Sequence, residues 1–286
     1  MTKKWNLIVD VAACTNCNLC TLANQDEHVD NEYPGYAASM PRHGHRWIDI
    51  KARERGHGPV MDVVYLPVMC QHCDDAPCMS AAKNGAVRKR DDGIVIIDPV
   101  KAKGQKAIAD ACPYGAVRWN EEAQLPQHWI FDAHLLDRGW QEPRCAQGCV
   151  TGALKAVKAS DEEMARLKRE DKLEELQPES GTRPRVHYKN LRRFTHDFIG
   201  GTLIATIDGV TDCVSGAAIT LERESSVVGE TVSDSFGEFK LDELNPGGAY
   251  RLNISADGFR PTSLSVELEQ STYLGRIELT TYNSTG

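Results

Sequence analysis

Two cysteine runs constrain this chain more than any other feature: Cys14-x2-Cys17-x2-Cys20 and Cys70-x2-Cys73-x4-Cys78. Each is a tight loop that offers three thiolates to one metal centre. A cubane iron–sulfur cluster needs four thiolates, one on each iron corner. In the bacterial ferredoxin run C-x2-C-x2-C-x3-C-P the fourth cysteine ligates the other cluster of a pair. Here the fourth position of each run is lost, to Asn24 and Ala82. Two isolated fourths stand further along. One is Cys112, followed by Pro113; the other is Cys149, preceded by Cys145 and by Trp129-x2-Asp132. Two triples and two fourths make two complete four-cysteine sets, and the positions that would build two further clusters are gone.

Internal repeats support this arithmetic. Aligning Ile8-Val9-Asp10 with Ile96-Ile97-Asp98 places Cys14, Cys17, Cys20 and Asn24 on Ala102, Gln105, Ile108 and Cys112. Where one copy has a ligand the other lacks it. Cys78-x3-Ala82-x2-Gly85-Ala86 likewise aligns with Cys145-x3-Cys149-x2-Gly152-Ala153. Between Cys78 and Cys112 runs a ferredoxin-like path. Gly85-Ala86-Val87 starts a strand, Asp91-Asp92-Gly93 turns, and Ile94 to Ile97 returns. Asp98-Pro99 then caps a helix, with proline at its favoured first position, and that helix delivers Cys112. The expected sets are therefore Cys70, Cys73, Cys78 with Cys112, and Cys14, Cys17, Cys20 with Cys149.

Three other chemistries compete. Four-cysteine zinc sites commonly use two C-x2-C pairs, but two triples plus Cys112-Pro113 exceed that need. Disulfides suit an oxidising compartment. A radical-generating cluster leaves one iron open on a lone three-cysteine motif, whereas both triples here have a fourth. Cys145 reads as a leftover thiol, against the alternative that it joins Asp132 and Asn24 around some other metal. Cys213 stands alone and reads as a small buried hydrophobe.

The remaining sequence sets the context. The 286 residues carry a net charge of −8, which argues against nucleic acid, since phosphate binding needs a basic face. No apolar run approaches the 18 or so residues of a membrane helix. The N-terminal MTKKWNLIVD has no apolar h-region after its lysines, so no signal peptide is expected. The expected location is cytoplasmic, or exported only with a partner. The expected fold class is α+β: a ferredoxin-like 4Fe–4S domain with pseudo-repeats over 1–157, a helix and extended connector over 158–199, and a small all-β antiparallel sandwich of transthyretin or immunoglobulin type over 200–286. The helix reading covers 158–177, with Ser160 as N-cap, Glu163 completing a capping box, and Met164, Leu167 and Leu173 on one stripe. The sandwich reading rests on TLIATI, AAITLE, GEFKLDEL, AYRLNISA, SLSVELE and LGRIELT, separated by turns such as Asp208-Gly209 and Asp257-Gly258.

The nested pattern resembles the four-cluster subunits of the dimethyl-sulfoxide-reductase superfamily. It is more similar still to the small subunits of the pyrogallol–phloroglucinol transhydroxylase and resorcinol hydroxylase family. The segments that carry this are Asp26-Glu27-His28, Tyr33-Pro34-Gly35-Tyr36, Gly44-His45-Arg46-Trp47, Arg53-Glu54-Arg55-Gly56, Asp92-Gly93-Ile94-Val95, Cys112-Pro113-Tyr114-Gly115, Ala133-His134-Leu135-Leu136-Asp137 and Pro184-Arg185-Val186. The resemblance covers nearly the whole chain. It implies a non-catalytic electron-transfer and structural subunit in anaerobic aromatic degradation. It also implies a heterodimer with a large subunit that holds a molybdenum or tungsten pterin cofactor and carries the catalysis. A departure is visible. That family's small subunit is expected to hold three clusters, and Asn24, Trp129 and Asp132 remove the third, which would lie between the other two. The loop residues His28, His43, His45, Arg46 and His57 read either as partner interface or as a solvated polar loop, and the resemblance favours interface. The competing functions are a free-standing ferredoxin-like carrier, which has little use for a β-domain, and the iron–sulfur subunit of another molybdopterin oxidoreductase.

Overall fold

A computed structural model of the chain describes residues 2–282. The last four residues of the expected 200–286 segment lie outside the described residues. The chain divides into two units, one of residues up to 52 with 65–191, the other of residues 53–64 with 192 onward.

The first unit is built on β1 (Lys4–Asp10), whose residues Trp5 to Val9 are all buried. A strand covered on both faces reads as a continuous apolar run rather than an alternating one. After it come α1 (Leu19–His28), β2 (Ile48–His57) and β3 (Val60–Met69), whose residues 53–64 are counted with the second unit, and then α2 (Pro77–Ala81). Next are β4 (Val87–Lys89), β5 (Val95–Ile97), α3 (Ala107–Asp110), β6 (Arg118–Asn120) and β7 (Leu125–Gln127). The unit closes with α4 (Ala133–Leu136), α5 (Arg144–Gln147), β8 (Leu154–Ala159), α6 (Asp161–Glu170) and β9 (Val186–Lys189). β1 is the middle strand of a three-stranded sheet in the order β8-β1-β9. Leu7 faces Ala156 on antiparallel β8 and Val186 on parallel β9.

The hairpin expected between Cys78 and Cys112 is present, with Val87 opposite Ile97. Its apolar residues pack with Ala102, Ile108, Cys73 and Cys78 in one cluster. The cap at Asp98 is also present, but it opens a turn. Asp98 Oδ1 accepts the N–H groups of Val100 and Lys101 at 3.0 and 3.1 Å. Gly104, at φ +77°, ends that turn, and its N–H leaves for the carbonyl of Gln124. The helix itself, α3, begins only at Ala107. A left-handed residue cannot continue a right-handed turn, so the expected helix is split in two.

The helix expected over 158–177 is shorter. Residues up to Ala159 are claimed by pairing with β1. The capping box is real: Glu163 N–H donates to Ser160 Oγ at 3.2 Å and Ser160 N–H to Glu163 Oε2 at 2.8 Å. At the other end Lys172 is left-handed and Leu173 N–H reaches back to the Lys168 carbonyl, the closing bond of a Schellman turn. Ser160→Ala should cost about 1 kcal/mol, read as a lower denaturation midpoint. The expected extended connector contains β9, which pairs with β1 and completes the sheet.

The second unit contains α7 (Arg192–Thr195), β10 (Asp197–Ile207), β11 (Val210–Cys213), β12 (Ala218–Arg223), β13 (Ser226–Val232), β14 (Glu238–Leu244), β15 (Ala249–Ser255), β16 (Thr262–Glu267) and β17 (Thr272–Glu278). All six expected strands are present. β11 and β13 are additional. Their residues are exposed or only half-buried, so no apolar alternation marks them. Hairpin hydrogen bonds to β10 and β12 recruit them instead. One four-stranded sheet runs β13-β12-β15-β16, and β10 carries β11, β14 and β17 in the other. The region is not wholly antiparallel, because β17 pairs parallel to β10. The chain reaches β17 from the opposite sheet rather than through a hairpin. Residues of both sheets, among them Leu203, Ile219, Leu241, Leu252, Ile254 and Ile277, form one apolar cluster.

Gly237 sits at φ +71°, and a Cβ there would stand 2.3 Å from the Leu203 carbonyl oxygen. Gly237→Ala is therefore expected to cost about 2 kcal/mol or more, since the strained conformation and the clash add. A thermal melt of the variant checks this.

Candidate metal centres

The first triple lies on the loop between β1 and α1. Cys17 is exposed, Cys14 half-buried, and Cys20 buried in the first turn of α1. Cys149 follows α5 and is half-buried. Burial pushes the Cys20 thiol up to about 11, and the nearby charges of Cys14 and Cys149 push in the same direction. Burial also raises Cys14, with Cys149 and Cys17 adding to it. The structure thus brings Cys14, Cys17, Cys20 and Cys149 into one electrostatic neighbourhood. Cys149 Sγ accepts the Leu154 N–H at 3.4 Å, a contact of the kind that tunes cluster sulfurs.

The second triple follows β3. Cys70, Cys73 and Cys78 are buried and Cys112 is half-buried after α3. Burial raises Cys70 well above its ordinary value, with Cys78, Cys73 and Cys112 adding to it. Burial pushes Cys78 up to about 12, and Cys112 and Cys73 contribute. These four also share one neighbourhood. Lys89 donates to the carbonyls of His72 and Cys73 at 2.9 and 2.8 Å and pairs with Asp74 at 2.8 Å.

Thiols raised by burial, and further by one another, suit a metal cluster, because ligands bind as thiolates and bound iron cancels the charge. The donor sets fit [4Fe–4S] clusters, which supply one-electron transfer when bound. Among the described residues, no three His, Cys, Asp or Glu side chains already close on a single point as ligands of one ion.

The loops share a backbone signature that sequence reading missed. The residue just before the second cysteine position is left-handed in all three C-x2-C-like loops: Asn16, His72 and Phe131. Phe131 precedes Asp132, so the Trp129-x2-Asp132 loop keeps the metal-wrapping bend although its cysteines are gone. A bulky aromatic residue at positive φ is rare. Asparagine in such a loop is a usable signal, but Phe131 carries none.

Two expectations are corrected. Cys213 is exposed on β11, because that strand is recruited by pairing and buries nothing. His28 is fully buried on the inner face of α1, so it leaves the proposed interface group. His43, Arg46 and His57 are exposed and His45 half-buried. Cys145 is buried beside Asp132 and Cys20, whose charges add to the burial that raises its thiol.

Burial also holds His128 down at about 4, its Nε2 lying 3.0 Å from the Val95 carbonyl. An unfolded imidazole takes its proton near 6.5, so between these values the unfolded chain binds the extra proton. This contribution is whole above pH 6.5 and is lost as the pH falls to about 4, worth about 3 kcal/mol in all. His128→Gln should flatten that acid limb in denaturation measured across the window.

Residues 61–159 match the 4Fe-4S dicluster domain family, and residues 199–280 match the carboxypeptidase regulatory-like domain. The chain is thus an iron–sulfur protein of the dicluster class with a β-rich C-terminal region. It is 44% identical over 280 residues, 97% of this chain and 100% of the other, to the pyrogallol hydroxytransferase small subunit of Pelobacter acidigallici. It belongs to that small-subunit family. A tetrathionate reductase subunit of Salmonella typhimurium is 30% identical, over 66% of this chain and 73% of its own length. The arsenate respiratory reductase iron–sulfur subunit of a Shewanella species is 24% identical, over 64% and 94%. Likenesses to solved structures are too weak to carry an argument; Klebsiella pneumoniae 5-hydroxyisourate hydrolase covers 31% of this chain and 99% of that one at 14% identity, with a TM-score of 0.25. Among the described residues no helix is long and apolar enough to cross a membrane.

Proposed function

We propose that the chain holds two [4Fe–4S] clusters, one on Cys14, Cys17, Cys20 and Cys149, the other on Cys70, Cys73, Cys78 and Cys112. The observation that carries this is the company each triple keeps. Cys149 acts on Cys14 and Cys20, and Cys112 acts on Cys70, Cys73 and Cys78. The chain would serve as the electron-transfer and structural subunit of a cytoplasmic heterodimer. Its partner is a large subunit with a molybdenum or tungsten pterin cofactor, acting on polyhydroxybenzenes of the pyrogallol, phloroglucinol or resorcinol type. Full-length similarity to a pyrogallol hydroxytransferase small subunit supports this. Residues 1–157 would form the cluster domain, 158–199 the connecting segment, and 200–286 a β-sandwich, a reading that the shared apolar cluster of the two sheets supports.

The clusters would differ in role. Cys17 is exposed, and exposed apolar side chains surround the first site in sequence: Leu19, Leu22 and Val150, the last 74% exposed. Such residues suit a protein partner. The second triple is wholly buried. The first cluster would therefore face the pterin subunit and the second would be largely structural. A transhydroxylation exchanges hydroxyl groups without net redox change, so it tolerates a long gap between clusters. Iron and sulfide analysis of the complex should give about eight irons in this subunit, and the large subunit should co-purify with it. Four irons, or purification as a free carrier, would overturn the reading. In a redox titration, rapid exchange of both clusters with the large subunit would count against the division of roles.

A further inference from the structure

Helix α1 carries Cys20, Asn24 and His28 at four-residue spacing, and all three are buried. Residues so spaced share one helix face. Beyond Cys20 this face meets Asp132, at the start of α4, and Cys145, in α5. These groups are buried but not satisfied. Asn24 Oδ1, both ring nitrogens of His28 and Asp132 Oδ1 have no hydrogen-bond partner. Their other atoms are committed: Asn24 Nδ2 to Met40 Sδ at 3.6 Å, and Asp132 Oδ2 to the Arg144 N–H at 2.7 Å. His28 is 0% exposed, Asp132 2% and Asn24 3%.

Leaving several polar atoms orphaned in one place costs a few kcal/mol each unless something fills the space between them. The distance from His28 Nε2 to Asp132 Oδ1 is 3.7 Å. That is too long for a hydrogen bond, but two ligands about 2.0–2.1 Å from one tetrahedral ion stand only slightly closer than this. A cubane is a poor fit, because the buried indole of Trp129 stands at one of its four ligand positions.

We propose that Cys145, Asp132, His28 and Asn24 form a mononuclear site for a divalent ion of the zinc class, beside the first cluster. One thiolate, one carboxylate, one imidazole and one amide oxygen make a four-coordinate set that zinc accepts. A Cys145 thiolate and an Asp132 carboxylate together carry two negative charges, which one divalent ion cancels. The donors have still to close on the ion, as do the eight cluster cysteines, since neither set converges on one point. The ion would pin α1, α4 and α5 together where the family otherwise places a cluster.

Metal analysis of the whole complex, purified without chelator, tests this. One zinc per chain is expected beyond the iron, with a zinc K-edge spectrum showing one sulfur at about 2.3 Å and nitrogen or oxygen at about 2.0–2.1 Å. Cys145→Ala and His28→Gln should each remove that zinc, while the iron content and the reduced-cluster EPR signal stay unchanged. Those two signals report folding independently of the zinc. Asp132→Asn, which keeps the side-chain shape, should lower zinc occupancy with the iron unaltered. No metal beyond iron in the native complex would overturn the proposal and leave a buried water as the occupant. So would twelve irons per chain, or zinc that survives Cys145→Ala.

Discussion

Cys70→Ala should halve the iron of this subunit, from about eight atoms to about four. The remaining four belong to the cluster on Cys14, Cys17, Cys20 and Cys149, so one set of EPR features should survive reduction with dithionite. Cys112→Ala should produce the same loss, although Cys112 is 34 positions away from Cys78. Cys14→Ala should remove the other half. The structural consequences should differ. Cys73 and Cys78 belong to the apolar cluster built from β4, β5 and α3, and the second triple is buried throughout. Loss of its iron would leave Cys73, Cys78 and Cys112 as free thiols around an emptied, largely buried pocket, so Cys70→Ala should open the first unit to protease. Cys17 is exposed, and Cys17→Ala should lose iron with less loss of fold. Iron and sulfide assay, EPR and limited proteolysis of the four variants are the measurements. Eight irons in Cys70→Ala, or unequal losses in Cys70→Ala and Cys112→Ala, would break the proposed pairing.

Arg55→Ala should destabilise the second unit by about 2 kcal/mol or more, the cost of losing a buried guanidinium and its charge-assisted hydrogen bonds. Arg55 is 2% exposed and sits in the tip of the β2–β3 hairpin. Its guanidinium binds the Asp242 carboxylate at 2.9 and 3.2 Å and also engages Asp62 and the His196 carbonyl. It lies 5.3 Å from the Phe198 ring centre. Alanine would leave Asp62 and Asp242 without this buried partner. Arg55→Lys keeps the charge but loses the planar fork and should still be clearly destabilising. Arg55→Met, apolar and of similar volume, leaves Asp242 with Lys240 and Asp62 with Lys240 and Arg193 alone, and is expected to fare no better than lysine. Denaturant titration followed in the β-rich region is the measurement. A loss under about 1 kcal/mol for Arg55→Ala would show the network to behave as a surface one.

Much of the site was legible in the residues alone. The two triples, the lone Cys112 and Cys149, and the complementary repeats led to the two proposed sets of four. The hairpin between Cys78 and Cys112 and the Ser160–Glu163 cap were equally plain, because both rest on bonds between near neighbours in the chain. What stayed hidden depended on distant partners. β9 looks like connector until β1 pairs with it. β11 and β13 bury almost nothing and exist because a neighbouring strand offers hydrogen bonds. Residue type alone favours a buried Cys213, yet its strand lies where nothing covers it. His28 looked like part of a polar loop, although its spacing from Cys20 and Asn24 already placed it on their helix face.

The sequence by itself determined the kind of chemistry. Thiolate number and local spacing set what a loop can wrap, and a four-residue helical step sets which side chains share a face. Only the tertiary structure decided which atoms go without partners. Asn24, Asp132 and Cys145 are scattered over 122 positions, and nothing local shows that all three are buried. Burial is a property of everything packed around an atom, so it exists only once the whole unit has closed.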